Sequence, residues 1–586
     1  MADHMAPTPR STHIVRLIRP LVIILVLEAL LFQWKFWLSS VGFINLPDGQ
    51  EARFALSKVR IVAMLVVWVA YRLFRPSSRI WSTRLEDLGA KGRAGLIGIF
   101  IALCVSVCTF SQLSGQAAWL EQGAAYNEGI EAIQDGNQYN HLADALLSGS
   151  VSLGLPVPDL LKEMENPYDP AERARLNAER HDTVYWDYAY YNGQYYCYFG
   201  VVPCLLTFLP FKLITGMDLR TDIVVMLFSC LVMAAAAGLL INLKRTFFKD
   251  LSLGSFIVGF ILLGLSNGVL EQAFLPRIYP IPILSALFFA LTGIGFWLAA
   301  KRSFNQTRKR SCYLIIGSFC VALTLGCRPQ FVLTALLAFP IFWDEIKRRE
   351  FFSVRGLPNT LMVILPFIAI AIPIGLYNYA RFGSFADFGA SYNLTGGDMT
   401  SYQFVPEKIA VQFLEYLFLP LQLIGTFPFF CMVNDTQLAQ DFPLLLTAEP
   451  FYAGFMFLTP ATFALFAVAS KRVRKTLSKR HLLPLFGVSL AMAAVNIVVA
   501  SYVSGTNMRY FADFAWFILI VAVLTIWSIE EAVASRRTLA FIAFLAVVGL
   551  ALYGWTFLGT ARFGALYYEC PTLYNALQAA VCSLLP

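Results

Sequence analysis

Apolar stretches of about 16 to 24 residues recur along almost the whole of this 586-residue chain, each long enough for a helix to cross a bilayer core. They run on without period-two alternation, so a β-barrel is excluded and the expected fold class is all-α and polytopic. With 58% hydrophobic and 14% charged residues, the composition lies far from that of a soluble domain.

The net charge of +8 does not point to nucleic acid, because the cations are confined to short loops between apolar runs. These groups are Arg72 to Arg93, Lys244 to Lys249, Lys301 to Arg310, Lys347 to Arg355, Lys471 to Arg480, and Arg536 with Arg537. Basic loops resist translocation, so all six are assigned to the cytoplasm, and the partners implied are membrane lipids.

Taken together, the apolar runs and basic loops predict thirteen spans. They are 17–38, 59–75, 93–112, 221–243, 253–272, 279–300, 312–327, 329–345, 359–380, 452–470, 482–503, 510–532 and 538–560. This places the N-terminus in the cytoplasm and the C-terminus outside. The first apolar run follows Arg10, Arg16 and Arg19 without a small-residue cleavage site and reads as an uncleaved span. Lys58 and Arg60, at the outer end of the second span, are expected to snorkel. Two proline-interrupted stretches, 200–215 and 409–432, read as interfacial or re-entrant helices on the outer face. The eleven cysteines show no CxxC pair, and only Cys570 and Cys582, in the tail placed outside, are candidates for pairing.

This arrangement gathers the polar residues into two outer segments, 111–220 and 381–451. Region 111–199 holds thirteen acids against four bases, a surplus that exclusion of lysine and arginine alone does not explain. After Asp135, apolar side chains at Tyr139, Leu142, Ala143, Leu146 and Leu147 follow the stripe of an amphipathic helix, with Gly149 at its stop. Asp135 at its start is either the helix N-cap or a general base, since a carboxylate held at the interface can take a proton from a hydroxyl.

Seven tyrosines surround Asn192-Gly193 between Tyr185 and Phe199, and that dipeptide predicts a hairpin. The tyrosines are either an interfacial belt or a sugar-binding surface, with Tyr139, Asp187, Tyr191 and Tyr195 as the candidate contacts. Arg277, Arg328 and Arg509 fall near outer span ends, against the usual bias. They either pair with Glu271, Asp387 or Asp513, or cradle a phosphate, which a guanidinium matches bidentately. The loop 378–398 is suited to closing over a site or to serving as a connector. Asn393 and Asn434 head glycosylation sequons.

The pattern Asp135-x-x-x-Tyr139-x-x-x-Ala143-x-x-x-Leu147-x-Gly149, with Tyr190-x-x-Gly193-x-x-Tyr196 and Pro203 after it, resembles the GT-C superfamily of integral membrane glycosyltransferases. It is most similar to the protein O-mannosyltransferase and lipid A aminoarabinose transferase branch, over roughly 93–530. That branch commonly has Asp-Glu in its first outer loop where this chain has Asp135-Gly136, and two extra spans precede the matching region here. The resemblance implies an inverting transferase that uses a polyprenyl-phosphate-linked sugar donor and a cell-envelope acceptor (lipid, polymer or protein). Asp135 would be the catalytic base, with Asp187 or Asp144 as alternatives, and 200–215 the juxtamembrane helix. The implied organisation is an N-terminal pair of spans (1–92), a core (93–530) and a last span with an outer tail (531–586). No cofactor is implied with certainty; a divalent metal would draw on Asp135, His141, Asp182 and Asp187. Two rival functions remain, a transporter or flippase of a lipid-linked saccharide and an assembly scaffold. A transporter predicts a polar path through the spans, and few mid-span charges are present.

Overall fold

The computed structural model describes residues 9–41, 56–120, 132–133, 136–182, 184–401, 403–433, 450–560 and 565–582. The chain is an all-α, multi-pass membrane protein. Seven helices are long and apolar enough to cross a membrane: Ala90–Gln112, Thr221–Phe247, Pro280–Arg302, Leu357–Phe382, Leu483–Val503, Met508–Val533 and Arg536–Leu558.

Of the other expected spans, the first is met by the 23-residue helix Pro9–Leu31, and the rest are helical but shorter or broken. Lys58–Phe74 and Thr307–Leu323 reach 17 residues each. Leu253–Leu265, Pro329–Ile341 and Pro460–Ala469 are shorter still. Proline at the start of two of these, and tight 3-10 winding through Pro329–Leu337 and Pro460–Ala469, interrupt the regular helix that the apolar runs imply. The stretch 200–215 is one helical segment, Val201–Thr215. The stretch 409–432 is helical only within Pro406–Phe418, and beyond it Leu423 pairs with Phe430 across an irregular turn.

Met508–Val533 lies at the centre with its apolar window wholly buried. A helix apolar on all sides needs protein on all sides. Its Trp527 indole donates to the Ser255 carbonyl at 3.0 Å, and Gly259 opposite leaves room for the ring. Ala90–Gln112, by contrast, is mostly exposed, as a lipid-facing peripheral helix would be.

The N-terminal pair of helices, Pro9–Leu31 and Lys58–Phe74, is held by an ion pair that the sequence reading missed. Arg60 does not snorkel. It donates to the wholly buried Glu28 at 2.6 Å, and its Nη1 reaches the Ala580 carbonyl at 3.2 Å. No disulfide joins Cys570 to Cys582.

The basic loops gather at one end of the bundle and join one another there. Lys244 pairs with Glu86 at 2.7 Å, Arg84 with Asp250 at 2.8 Å, and the Ser252 N–H donates to Glu530 at 3.0 Å. Lys301 pairs with Glu345 at 2.9 Å, Arg310 with Glu350 at 2.9 Å, and Arg480 with Glu531. The two long polar segments meet at a separate set of contacts. Ala189 bridges Asn393, Leu394 exchanges backbone hydrogen bonds with Asp187 and Tyr188, and Arg381 donates to the Cys197 carbonyl at 2.6 Å.

Candidate functional site

Asp135 lies outside the described residues, but the chain on either side of it is placed. Ala132–Ile133 pairs in parallel with Val184–Tyr185, and the Thr221 hydroxyl donates to the Gly136 carbonyl at 3.4 Å. The following helix runs Gln138–Leu147, with Asn137 in the N-cap position but without a side-chain capping bond.

Gly149 stops this helix as the sequence implies. At φ +75° it donates to the Leu146 carbonyl while Ser150 donates to Ala145, the paired bonds of a Schellman ending. The helix is not laid out on a surface with its polar side in water, however. Gln138 and Asn140 are buried with the apolar stripe, and Asn140 clamps both the N–H and the carbonyl of Leu219, each at 3.1 Å. Its partner is the segment Val201–Thr215: Tyr139 stacks on Phe208 at 5.1 Å and is fully buried. Tyr139 is thus packed into the core in this structure.

The hairpin forms as the Asn192-Gly193 pair dictates. Ala189–Tyr191 and Gln194–Tyr196 pair antiparallel, and the two turn residues take φ of +47° and +74°. Its tyrosines are mainly a core, not an open platform. Tyr188, Tyr190, Tyr195 and Tyr196 are buried, with Tyr195 packed edge-on against Tyr185 at 5.3 Å. Burial raises the phenols of Tyr139, Tyr195 and Tyr198 above their ordinary range, so none of them is a base at neutral pH. Tyr191 is half-buried and meets Tyr392 of the second segment at 4.5 Å.

Asp187 is 6% exposed, at φ +63°, and accepts from the Asn393 amide at 3.1 Å. The Asn393 sequon is therefore closed to a glycan by burial, and that of Asn434 lies outside the described residues. Asp144, the other alternative base, is tied to Lys212 at 2.5 Å.

Two of the three arginines come together. Arg328 pairs with buried Asp513 at 2.6 Å and lies 5.3 Å over the Tyr510 ring. Arg509 lies over Tyr279 at 4.4 Å and over Tyr510 at 5.4 Å, sharing that ring with Arg328. The Arg509 carbonyl accepts from Gln272 at 2.8 Å, and Glu271 lies within electrostatic reach of its guanidinium. Arg277 sits in the same loop as Tyr279, half-buried, with its backbone N–H on the Leu275 carbonyl at 2.7 Å. The ion-pair alternative thus holds for Arg328 through Asp513, whose second oxygen, Oδ1, is buried without a hydrogen-bond partner among the described residues.

Tyr198 connects the polar segment to this cluster. It is half-buried, packs on Phe199 at 4.4 Å, and feels Asp187 on one side and Tyr510 and Arg509 on the other. Phe199 in turn meets Tyr279 edge-on at 5.8 Å. Tyr198, Tyr279 and Tyr510 were missed in the sequence, although Tyr510 adjoins Arg509 and Tyr279 follows Arg277 by two residues. Stacking engages the face of a guanidinium and leaves recognition to its in-plane N–H edge, the geometry that suits an oxyanion.

Among the described residues, no three His, Cys, Asp or Glu side chains meet closely enough to hold a metal ion.

No protein-family model matches the chain, and no curated protein does. Among solved structures it is similar to ArnT from Cupriavidus metallidurans, a lipid A aminoarabinose transferase crystallised with undecaprenyl phosphate. That likeness is at 11% identity over 84% of this chain and 76% of that one, with a TM-score of 0.38. It is also similar to the oligosaccharyltransferase AglB of Archaeoglobus fulgidus, seen with an inhibitory peptide and a dolichol-phosphate. Here identity is 12% over 83% of this chain and 56% of that one, with a TM-score of 0.39. The apo oligosaccharyltransferase from the same organism gives 13% identity and a TM-score of 0.36 over 81% and 56% of the two chains. At these TM-scores the likenesses leave the activity to be argued from the chain's own residues.

Proposed function

We propose that this chain is a polytopic glycosyltransferase that moves a sugar from a polyprenyl-phosphate donor to an acceptor hydroxyl on the extracytoplasmic face. The observation that supports it most is the meeting of Arg328 and Arg509 over Tyr510, beside Tyr279 and next to Tyr198 and Asp187 of the long polar segment. Guanidiniums on aromatic rings at the edge of an apolar bundle suit a lipid phosphate, whose tail would lie along the spans. In this reading Arg509 is the foremost phosphate ligand, Arg277 a second, and Arg328 is shared between phosphate and Asp513.

Asp135 is the base, a role that rests on the sequence pattern around it. It takes the acceptor proton, and the acceptor oxygen attacks the anomeric carbon from the side opposite the phosphate. The bond from that carbon to the phosphate oxygen breaks, the configuration inverts, and the polyprenyl phosphate leaves with its added charge. Held arginines lower the barrier because they are already aimed where that charge grows. Tyr191 and Asp187 would face the sugar side, and Tyr139 and Tyr195 hold the segment from behind. The basic end of the bundle would face the cytoplasm, with the N-terminus, and the C-terminus would lie outside.

The test is to incubate purified full-length protein with a panel of undecaprenyl-phosphate sugars and an envelope extract, following release of undecaprenyl phosphate. Release coupled to sugar appearing in the extract supports a transferase. Movement of intact donor across a vesicle bilayer without cleavage would instead establish a transporter.

A further inference from the structure

A second polar constellation lies near the arginine cluster, on the helix Pro406–Phe418. Gln412 and Glu415 are three residues apart and so share one helix face. Gln412 is wholly buried and Glu415 is 3% exposed. That face packs on the end of Leu483–Ser504 and on the turn after it. The Tyr416 hydroxyl donates to the Gly505 carbonyl at 2.8 Å and accepts from the Asn507 N–H at 3.1 Å. Thr506 stands beside the Glu415 carboxyl and is also wholly buried.

These side chains do not satisfy one another at hydrogen-bonding distance, although the Thr506 hydroxyl is near enough to Glu415 to favour its ionised form. Both polar atoms of Gln412, both carboxyl oxygens of Glu415, the Thr506 hydroxyl and the Ser501 hydroxyl are buried without a hydrogen-bond partner among the described residues. Buried polar groups are normally paired, and so many orphans in one place call for a ligand. Gly505 has φ +76° and ψ −165°, a region open essentially to glycine alone, and a Cβ there would come 3.2 Å from the Gln412 amide, so a side chain at this position would crowd the group.

The chemistry of the set defines the ligand. A carboxyl and a carboxamide are planar groups with two polar atoms each, and each can bridge neighbouring hydroxyls. Thr506 adds a donor and acceptor in one group. Position fixes what the hydroxyls are attached to. Asn507 accepts from the Arg509 N–H at 2.8 Å, and three residues of chain span at most about 10 Å, so this group lies next to the proposed phosphate. Tyr416 feels Arg509 directly.

We propose that Gln412, Glu415 and Thr506 form the subsite that recognises the hydroxyls of the sugar carried on the donor phosphate. This rests on the donor reading given above. It makes the Pro406–Phe418 helix the element that selects the sugar, while the arginines bind any polyprenyl phosphate.

The experiment measures binding of bare undecaprenyl phosphate and of a panel of undecaprenyl-phosphate sugars to purified full-length protein and to Gln412→Leu, Glu415→Leu and Arg509→Ala. Wild type is expected to bind at least one sugar-bearing lipid about tenfold tighter than the bare lipid. Each leucine variant is expected to reduce that preference toward unity with bare-lipid affinity unchanged. Apolar replacement of an unsatisfied buried group leaves the fold intact, so both variants should melt no lower than wild type. The subsite is overturned if wild type shows no sugar preference, if the variants keep it, or if they weaken the bare lipid equally, as a water-filled chamber would allow. Failure of the parent reading looks different. Bare lipid then does not bind wild type, or binds Arg509→Ala equally well, and the subsite falls with it.

Discussion

Arg328 donates to the Asp513 carboxylate at 2.6 Å while its guanidinium lies 5.3 Å over the Tyr510 ring. Asp513 is 2% exposed, so removing it leaves a cation with no counter-charge in a nearly dry site. Breaking a buried pair in this way costs about 3–5 kcal/mol. Asp513→Ala should therefore melt well below wild type in the same detergent, with Asp513→Asn between them. Arg509→Ala should instead fold normally and raise the donor KM. Equal melting of Asp513→Ala and wild type would show that the pair does not hold the site.

Gly200 ties the polar segment to the arginine cluster. A Cβ there would sit 2.2 Å from the Cys327 carbonyl oxygen and 2.3 Å from that of Gly326, just before Arg328. Backbone cannot yield as a side chain tip does, and overpacking of this kind costs about 1–3 kcal/mol. Gly200→Ala should lower transfer more than membrane insertion, because the displaced backbone leads directly into Arg328. Wild-type transfer and melting in this variant would contradict the packing described.

The hairpin turn offers a milder change. Gly193 has φ +74°, and nothing lies within 4 Å of a Cβ placed there. Gly193→Ala therefore meets only the left-handed backbone cost of about 1–2 kcal/mol. Limited proteolysis should cut the polar segment sooner in this variant, while the spans stay protected. An unchanged cleavage rate would argue against the turn.

Glu415 supplies a pH dependence. Burial pushes its carboxyl from an ordinary 4.5 up to about 7, against a smaller opposing effect of Thr506. The folded protein then holds this proton more tightly than the unfolded chain does. Its contribution to stability is complete below about 4.5 and is lost as pH rises through about 7. Thermal midpoints of wild type should carry a falling component across that window, and Glu415→Gln should lack it. The same slope in both proteins would assign the effect elsewhere.

Much of the architecture was readable because long apolar runs and glycine-dependent turns are local signals. The seven long spans, the stop at Gly149 and the Asn192-Gly193 hairpin all have causes within a few residues of themselves. Burial was not readable, because it is set by what lands opposite. Tyr139, Tyr188 and Tyr195 carry the composition of a binding surface, yet Phe208 and neighbouring tyrosines close over them. Asp187 meets Asn393, and Arg60 meets Glu28, across separations that no periodicity reports. The broken spans were misjudged in length for a related reason: helix length was inferred from apolar length, and the tight winding after Pro329 and Pro460 has only a proline to announce it. In the site, Arg328 and Arg509 stood out as outer-side cations, whereas nothing in the stretch 409–432 singled out Gln412 and Glu415.

The most direct measurement is transfer from an undecaprenyl-phosphate sugar by Asp135→Asn, compared with wild type at matched folding and matched donor affinity. The account predicts that the variant binds donor as wild type does and that its turnover falls by about two to four orders of magnitude, the contribution of a positioned general base. Wild-type turnover in Asp135→Asn would contradict it and move the base to another residue.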